Sequence, residues 1–407
     1  MMKTACPICG NSHLDSLITL DHIPYFENWL CDSEILAKQS GCGTQNMTQC
    51  QHCGFVFNSA FEAKNVIYGS GYHIERSASE YYRQHLENVA KQINSASTIT
   101  GKHVLEVACG TGEFLRLISG YRPKTCIGVD PSANKPQENC MIRRTLFDET
   151  YIKKYSDPID ILISRHMIEH IENPLAMLQI FAQALPENGI LYLEMPRLDW
   201  ILEHRVFYDF SYEHCSYFTD EFMARLLSAA GFSLLEMVPS FDGQYFSMIA
   251  TKNRISSEIL PAGLDTISRI KREFCKTRET YDTVRKRFLT HIIYKNNVCK
   301  EDTSLQGSSC AKKVYLWGAG GKGVMCCNLL AGDCILGCVD KNPFKQGKFI
   351  PGTGHPVLAP ANISYEKANC ILVENDVYFD EIEQEACKID TRFRVLSLNR
   401  ILGISLD

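Results

Sequence analysis

A short apolar run that ends in two closely spaced glycines constrains the fold more than any other part of this sequence. Residues 103–108, His-Val-Leu-Glu-Val-Ala, are too few for a stable helix and too apolar for a loop, which predicts a buried strand. Gly110 and Gly112 carry no Cβ atom, so the backbone there can turn sharply and approach a ligand closely. The chain from Lys102 to Leu115 is therefore predicted to form a strand, a tight turn and the start of a helix. Because the glycine spacing is not GxGxxG, the segment matches a dinucleotide-binding fingerprint poorly.

A second apolar run, residues 125–129, ends on Asp130 and predicts a neighbouring strand. Ligands of open parallel sheets bind at the carboxyl ends of the strands, where an acid can accept hydrogen bonds from both hydroxyls of a ribose. The two segments together resemble motif I and the acidic end of the second strand in class I S-adenosylmethionine (SAM) methyltransferases. That resemblance implies a set of SAM-binding residues: Glu106, Gly110, Gly112 and Asp130. An ordinary α/β turn with a capping aspartate is the alternative.

The composition is that of a soluble globular protein, with 45% apolar and 22% charged residues. A net charge of −5 gives no indication of a nucleic-acid-binding surface. No run of about 18 apolar residues predicts a transmembrane helix, and residues 1–10 contain no apolar signal core. The 19 cysteines are scattered through predicted strands and helices, and a chain of 407 residues does not need a disulfide framework. We therefore expect a cytoplasmic protein whose cysteines are mostly small buried hydrophobic residues.

Two Cys-x-x-Cys-Gly segments near the N-terminus predict a metal site. Cys6 and Cys9 form the first pair, and Cys50 and Cys53 form the second. Four thiolates on two such turns supply the closed tetrahedral shell of structural zinc. Such a site stabilises a small domain and need not take part in catalysis. Two unrelated cysteine pairs are the alternative interpretation.

Five further segments complete a predicted seven-stranded sheet that ends in an antiparallel hairpin. They are residues 139–143, 159–164, 190–195, 234–238 and 245–250. This is the methyltransferase variant of the doubly wound α/β fold.

Analogy with other methyltransferases adds two candidate SAM ligands. Tyr72 lies in an aromatic segment before the first strand, where such residues close over the methionine end of the cofactor. Ordinary helix packing is equally open for this residue. Asp148 follows the third strand, where an acid or an amide often meets the adenine amino group.

The segment after the fourth strand, Arg165-His166-Met167-Ile168-Glu169-His170, corresponds to the place where class I methyltransferases pass beside the transferred methyl group. His166 and His170 are four residues apart and would share one face of a helical turn. His166 is the better placed of the two to reach a substrate, and His170 has the more structural role. A metal site at His-x-x-x-His is the alternative, although no further ligand is spaced to complete it.

Residues 207–219, between the fifth strand and the hairpin, are too aromatic and too polar for a plain loop. Tyr212, Glu213 and His214 place three groups that move protons in consecutive positions. We therefore expect catalytic chemistry here. An aromatic lid held by side-chain hydrogen bonds is the alternative.

The C-terminal part restarts an α/β pattern after charged helical segments and a polar linker. Residues 314–317 predict a strand, and residues 318–323 follow it as GxGxxG. Only about 95 residues remain, which is enough for one mononucleotide-binding half and not for two. The glycines and Lys322 can cradle a phosphate at a helix N-terminus. A purely packing role for the motif is equally open.

The order of these features resembles that of the bacterial sugar C-methyltransferases that act on nucleotide-linked ketodeoxysugars. The resemblance covers nearly the full chain and includes the segment Gln346-Gly347 to Pro351-Gly352-Thr353. It implies an α/β protein with a class I SAM-methyltransferase sheet, an N-terminal zinc-knuckle domain and a C-terminal half-Rossmann domain. The implied domains are a zinc-binding domain at 1–66, a SAM methyltransferase domain at 67–252, a helical linker at 253–310 and a Rossmann-like domain at 311–407.

The resemblance also implies a reaction. In that family a base removes the proton alpha to a C4 ketone, and the enolate carbon attacks the methyl group. Such a carbon acid needs a base nearby and an acid or cation at the developing enolate oxygen. Glu213 and His214 match the family's Glu-His pair, and His166 matches its histidine after the fourth strand. Tyr208 and Lys322 are the expected substrate contacts.

One departure from the family pattern leaves the base open. The family usually has a tyrosine where this chain has Ser211, and here the tyrosine stands one position later, at Tyr212. The base is then Tyr212, Tyr208 or His214, or the reaction differs. The alternative reaction is methylation of oxygen or nitrogen on a sugar nucleotide or another small metabolite. It would need fewer catalytic groups, because no proton has to be removed from carbon.

Two hypotheses come from other functional classes. One is an NAD-dependent sugar-nucleotide oxidoreductase that uses the C-terminal glycine motif. The other is a non-catalytic zinc-containing binding module, which leaves the presence of the ribose acid Asp130 unexplained. The expected partner is a small-molecule nucleotide sugar, with no nucleic acid and no membrane.

Overall fold

The computed structural model describes residues 2–66, 68, 79–133, 139–253, 259–287, 313–330 and 334–401. The chain divides into two compact units. The first comprises Met1–Leu17, Asn46–Trp200 and His214–Ile270, and the second comprises Ile18–Gln45, Ile201–Glu213 and Lys271–Asp407. No helix in these described ranges combines the length and the apolar character needed to cross a membrane.

The strands and helices follow in chain order. They are β1 (Leu14–Pro24), α1 (Glu34–Lys38), β2 (Cys42–Cys50), β3 (Val56–Asn58), α2 (Glu80–Ala96), β4 (His103–Val107), α3 (Glu113–Ser119), β5 (Thr125–Val129), β6 (Met141–Arg143), α4 (Glu149–Lys154), β7 (Ile161–Arg165), α5 (Pro174–Ala184), β8 (Ile190–Pro196), α6 (Leu198–Glu203), β9 (Ser216–Tyr217), α7 (Asp220–Ala230), β10 (Phe232–Ser240), β11 (Tyr245–Lys252), α8 (Leu264–Arg287), β12 (Val314–Trp317), α9 (Gly321–Leu330), β13 (Ile335–Val339), β14 (Val357–Leu358), β15 (Cys370–Val373), α10 (Phe379–Ile389), β16 (Arg394–Ser397) and α11 (Leu398–Ile401). Single 3₁₀ turns occur at Ala63–Asn65, Ile168–His170, Phe207–Asp209, Pro360–Asn362 and Asp376–Tyr378.

The central sheet of the first unit has seven strands in the order β10-β11-β8-β7-β4-β5-β6. Strand β4 pairs in parallel with β5 and with β7, and β8 continues the parallel set beside β7. Strand β11 runs antiparallel to both β8 and β10, which forms the terminal hairpin. The predicted class I methyltransferase sheet is therefore confirmed. Its parallel strands read as continuous apolar runs because both faces of such a sheet are covered.

The first strand, turn and helix form as the sequence predicts. Strand β4 ends at Val107, and α3 begins at Glu113. Gly110 and Gly112 both adopt left-handed backbone angles, with φ of 54° and 79°. Only glycine adopts this region without strain from a Cβ atom, which explains the residue type at both positions.

Helix α2 precedes the sheet and shows how local signals define its ends. The Ser79 side chain accepts a hydrogen bond from the Tyr82 amide and caps the helix N-terminus. Tyr82, Leu86, Val89 and Ile93 are buried. Their spacing is that of one helical face, so the helix packs along a single apolar stripe.

A smaller sheet with the order β1-β2-β3-β9 carries the N-terminal cysteine turns. In the first unit, β3 pairs antiparallel with β2 and with β9. Phe55 stacks on Phe222 of α7, with ring centroids 5.0 Å apart. This aromatic contact joins the small sheet to the core beside α7, and both rings are fully buried.

The second unit contains a sheet of five parallel strands in the order β14-β13-β12-β15-β16. That is two strands more than a single mononucleotide-binding half, because the short strands β14 and β16 extend both edges. Helix α9 follows β12 directly through the GxGxxG turn. Within the predicted linker, α8 includes the expected helical segment 269–281, whereas the polar segment 301–309 lies outside the described residues.

Candidate functional site

The glycine turn after β4 and the acid after β5 are joined by a hydrogen bond. The Gly110 amide donates to Asp130 Oδ2 over 2.8 Å. The other carboxylate oxygen of Asp130 accepts from the Ser132 amide at 2.7 Å and from its hydroxyl at 2.6 Å. The predicted SAM-binding residues of β4 and β5 therefore lie together at the carboxyl edge of the sheet, where ligands of such sheets bind.

Glu106 is a buried carboxylate at this edge. Its side chain is 3% exposed, and Oε2 has no hydrogen-bond partner among the described residues. Burial raises the pKa of Glu106 to about 8, with Asp130 adding to the rise and Arg165 opposing it. An unpaired buried acceptor beside an open glycine turn fits a ligand that brings hydrogen-bond donors, as the hydroxyl and ammonium groups of SAM do. The position of a Cβ atom on Gly110 has no heavy atom within 4 Å, so the turn is open there.

The two further SAM candidates fall in different places. Tyr72 lies outside the described residues. Asp148 caps helix α4, where its Oδ1 accepts a 2.8 Å hydrogen bond from the Tyr151 amide. Its carboxylate is thus tied to the start of helix α4.

A buried ion cluster lies at the ends of β7 and β8. Arg165 donates from Nε and Nη2 to Glu194 Oε1 at 3.0 and 2.8 Å. His85 Nε2 lies 2.8 Å from the other oxygen, Glu194 Oε2. Burial opposes the charge on Glu194, but Arg165 holds its pKa well below the usual range, with His166 and His85 adding to the effect. The sequence analysis missed these residues, although a glutamate inside the apolar run 190–195 is a visible signal.

His166 lies between two buried carboxylates. Its Nε2 is 3.2 Å from Glu194 Oε1, and its Nδ1 is 3.6 Å from Glu169 Oε1. The ring packs edge-on against Tyr245 with centroids 4.6 Å apart. The backbone of His166 has a φ of 50°, which is rare for a residue with a side chain and frequent at functional sites. Carboxylates thus face both ring nitrogens of this predicted catalytic residue.

His214, Glu169 and His170 form a second cluster. One ligand atom from each of the three residues lies within 4.8 Å of the others. The rings of His170 and His214 meet edge to face, with centroids 4.8 Å apart and an angle of 82°. Tyr68 Oη is 2.8 Å from His170 Nδ1. The fold therefore brings the predicted base His214 beside a buried carboxylate that sequence analysis did not select.

The other candidate site residues of the aromatic segment, Tyr208, Tyr212 and Glu213, belong to the second unit and are buried. Tyr212 packs on Tyr25, with ring centroids 4.8 Å apart. Glu213 is fully buried, and its Oε1 accepts a 2.7 Å hydrogen bond from the Glu27 amide. Tyr208 donates its hydroxyl proton within the same unit, to Asn399 Oδ1 and to the Glu374 carbonyl. Burial raises the pKa of the Tyr208 phenol well above its usual range, so this tyrosine stays protonated at neutral pH and is not available to accept a proton.

The C-terminal glycine turn lies against side chains of its own unit. Lys322 Nζ is 3.2 Å from Asp209 Oδ2. A Cβ atom on Gly321, at the start of α9, would lie 2.6 Å from carboxylate atoms of Glu27. A Cβ atom on Gly318 would clash with Glu374, whose pKa burial raises to about 7. Acidic side chains of the protein thus occupy the region where the helix N-terminus would face a phosphate.

The four predicted zinc ligands are gathered at one point in the first unit. Cys6 Sγ is 3.7 Å from Cys53 Sγ, and Cys9 Sγ is 3.6 Å from Cys50 Sγ. Tetrahedral zinc with bonds of about 2.3 Å separates its sulfur ligands by roughly 3.8 Å, so the four residues fit the ion. Hydrogen bonds from the thiols of Cys53 and Cys6 lower the pKa of Cys50, which favours a thiolate in the cluster.

Two family profiles match the chain. The profile described as a methyltransferase domain matches residues 78–237. The profile described as the C-terminal domain of C-methyltransferases matches residues 276–392. The two matches do not overlap.

The chain is also similar to individual proteins. It is 21% identical over 379 residues to C-methyltransferase NovU of Streptomyces niveus, covering 87% of this chain and 85% of that protein. It is 27% identical over 118 residues to a tRNA U34 carboxymethyltransferase of Helicobacter pylori, covering 26% of this chain and 45% of that one. A crystal structure of an S-adenosylmethionine dependent methyltransferase from Mesorhizobium loti overlaps with 41% of this chain and all of that one, at 13% identity and a TM-score of 0.34.

Proposed function

We propose that this chain, which is a SAM-dependent methyltransferase, methylates a carbon atom of a nucleotide-linked 4-ketodeoxysugar through an enolate. The observation that carries the proposal is the extent of the similarity to a C-methyltransferase. It covers 87% of this chain and 85% of that relative, and so is not confined to the SAM-binding sheet. The second matched profile, at residues 276–392, describes the C-terminal domain of C-methyltransferases.

The carboxyl edge of the seven-stranded sheet is the proposed cofactor site. Asp130 and Glu106 would accept hydrogen bonds from SAM, and Gly110 and Gly112 would let it approach the backbone. Tyr72 and Asp148 are proposed to complete the site. When bound, SAM supplies a methyl carbon made electrophilic by the adjacent sulfonium.

His214 is the proposed base for the proton alpha to the ketone. Among the candidate bases of this segment, Tyr208 is not favoured because it is buried and donates its own hydrogen bonds. Tyr212 is 1% exposed and packs on Tyr25, so we propose that it has a packing role rather than that of the base. His214 is only partly buried, and the imidazole of histidine is the side chain that most often acts as a general base.

Glu213 and His166 are the proposed supporting residues of the same reaction. Glu213 accepts a 2.7 Å hydrogen bond from the Glu27 amide and so fixes the backbone there. Its proposed role is to position that backbone rather than to exchange a proton with the substrate. His166 is held between Glu194 and Glu169. An imidazole in that setting can donate a hydrogen bond toward a developing enolate oxygen when it carries a proton.

The nucleotide is proposed to use the C-terminal domain, at residues 311–407, with Lys322 as a phosphate ligand. Binding there would exchange the present contact of Lys322 with Asp209 for one with phosphate. The oxidoreductase alternative is not favoured, because both matched profiles and the similar full-length protein are described as methyltransferases. The proposed zinc-binding domain (1–66), methyltransferase domain (67–252) and helical linker (253–310) complete the arrangement, with zinc in a structural role.

Product analysis with isotope-labelled SAM tests this proposal. A panel of nucleotide-linked 4-ketodeoxysugars is incubated with the protein and methyl-labelled SAM, and products are analysed by mass spectrometry. We expect one labelled methyl group on at least one nucleotide sugar. Absence of label from every member of the panel, with SAM binding intact, would reject the substrate class.

Exchange of solvent deuterium separates carbon from oxygen or nitrogen methylation. Enolate formation without SAM replaces the acceptor C–H by C–D, whereas methylation of a hydroxyl or amine needs no such exchange. We expect deuterium at the carbon beside the ketone in protein-containing samples only. Labelled product without any exchange would favour the oxygen or nitrogen alternative.

A further inference from the structure

The chain bends sharply after β7 and turns one acidic side chain inward. His166 takes a left-handed conformation, and the 3₁₀ turn Ile168–His170 follows at once. Glu169 in this turn is 2% exposed. The local backbone thus buries a carboxylate that could otherwise have faced solvent.

The Glu169 carboxylate is unusual because neither oxygen has a hydrogen-bond partner among the described residues. A buried charge without compensation costs several kcal/mol, so such a group calls for a physical explanation. The titratable groups that face it are His166 after β7, His170 on its own turn and His214 before β9. Burial opposes its charge, but these three histidines more than offset the effect and lower the pKa of Glu169.

We infer that Glu169 is a positioning residue that holds His214 in place and stabilises the proton that His214 receives from the substrate. The inference rests on the proposed function, because it assigns the counter-charge of the proposed base. The base of a Ser-His-Asp site is helped in the same way by a buried carboxylate that orients the imidazole and stabilises the imidazolium. In this step the substrate C–H bond breaks and an N–H bond forms on His214, while the electron pair of the C–H bond remains in the enolate.

His170 has a distinct part in the cluster. Its Nδ1 is 2.8 Å from Tyr68 Oη, and its ring lies edge to face against His214. The histidine thereby fills the space beside the Glu169 carboxylate and restricts the His214 ring. Among the described residues, Glu169, His170 and Tyr217 lie beside His214.

The test compares Glu169→Gln with wild type in full-length protein, using the methyl-transfer assay over a range of pH. Loss of the carboxylate destabilises protonated histidine, and a general base acts when it is unprotonated. The acidic limb of kcat/KM should therefore move to lower pH by about one unit. We expect kcat to fall by roughly 10²-fold with little change in the KM for the nucleotide sugar. Glu169→Asp keeps the charge and should leave the acidic limb close to its wild-type position.

Glu172→Gln is the matched control, because Glu172 lies three residues away and its carboxylate is paired with Lys3 at 2.8 Å. This variant should retain the wild-type rate and pH profile. A Glu169→Gln enzyme with normal kcat, or with a lowered kcat and an unmoved acidic limb, would overturn the inference. Activity that is lost with EDTA and restored by a divalent cation, with the cysteine-bound zinc retained, would overturn it as well. If wild type methylates no member of the panel, the proposed function has failed instead.

Discussion

The amide of Gly110 donates a 2.8 Å hydrogen bond to Asp130 Oδ2 and so connects the turn after β4 to the end of β5. Gly110 gives the turn its left-handed backbone conformation, and Asp130 is the acid that is expected to bind the ribose. Each supports the position of the other, because the carboxylate fixes the turn and the turn orients the carboxylate. The turn and the acid of the proposed cofactor site are therefore held together by a direct contact within the protein.

Replacing Asp130 by alanine should weaken SAM binding by at least about tenfold. The change removes the proposed ribose acceptor, and the loss of a charge-assisted hydrogen bond is worth roughly 1.5–3 kcal/mol. Isothermal titration calorimetry with SAM and with its demethylated product measures the effect. Glu149→Gln, an exposed acid on α4, is the control and should bind normally. An unchanged Kd in Asp130→Ala would contradict the assignment of this edge.

The stability of the cofactor-free protein should depend on pH through Glu106. Burial raises its pKa from 4.5 to about 8, so the native state keeps a proton that the unfolded state releases. The contribution of this group to stability is present below pH 4.5 and is lost as the pH rises toward 8, by up to about 1.4 kcal/mol per pH unit.

Glu106→Gln removes that titration and should gain stability relative to wild type as the pH rises from 5 to 8. Urea unfolding of both proteins at several pH values measures the difference. If the two free energies of unfolding run parallel across the whole range, Glu106 ionises normally and this account of it is wrong.

Replacing Cys53 by serine should abolish stoichiometric zinc and lower the thermal unfolding midpoint. A structural zinc site contributes its binding free energy to folding, and three thiolates with a hydroxyl hold the ion much less tightly. Metal analysis by mass spectrometry and calorimetry are the measurements. Cys275→Ser, at an exposed position on α8, should change neither quantity. Wild-type protein that contains no zinc after expression in zinc-supplemented medium would refute the proposed site.

Replacing His214 by asparagine should lower turnover by roughly 10²-fold or more, the usual effect of losing a general base. SAM affinity should stay within about twofold, since the side chain is not proposed to bind the cofactor. His13→Asn serves as the control, because His13 is exposed and lies outside the histidine cluster. Turnover near the wild-type value would remove His214 from the mechanism.

Sequence patterns alone predicted the seven-stranded sheet and its antiparallel end. The strands of a parallel sheet are short, wholly apolar and separated by turn residues, so each is visible locally. The strand edges shifted by a few residues: β7 runs from Ile161 to Arg165, whereas residues 159–164 were expected. A charged terminal residue such as Arg165 is not recognised as part of a strand unless its buried partner, Glu194, is known.

The environment of the candidate site could be predicted only in part. Cys-x-x-Cys pairs and the acidic strand end have fixed local spacing, which is why Cys6, Cys53 and Asp130 were selected from sequence. Glu169 and Glu194 were not selected, because their importance arises from burial and from partners distant in the chain. The carboxylates beside the C-terminal glycine turn were invisible for the same reason, since Glu27 precedes that turn by almost 300 residues.

The bond that the transferred methyl group forms distinguishes carbon methylation from methylation of oxygen or nitrogen. The protein is incubated with SAM carrying a ¹³C-labelled methyl group and with a nucleotide-linked 4-ketodeoxysugar, and the product is examined by NMR. The account predicts that the labelled carbon is bonded directly to a ring carbon adjacent to the former ketone. A label bonded to oxygen or nitrogen, or a nucleotide sugar that remains unlabelled while SAM binds normally, would contradict it.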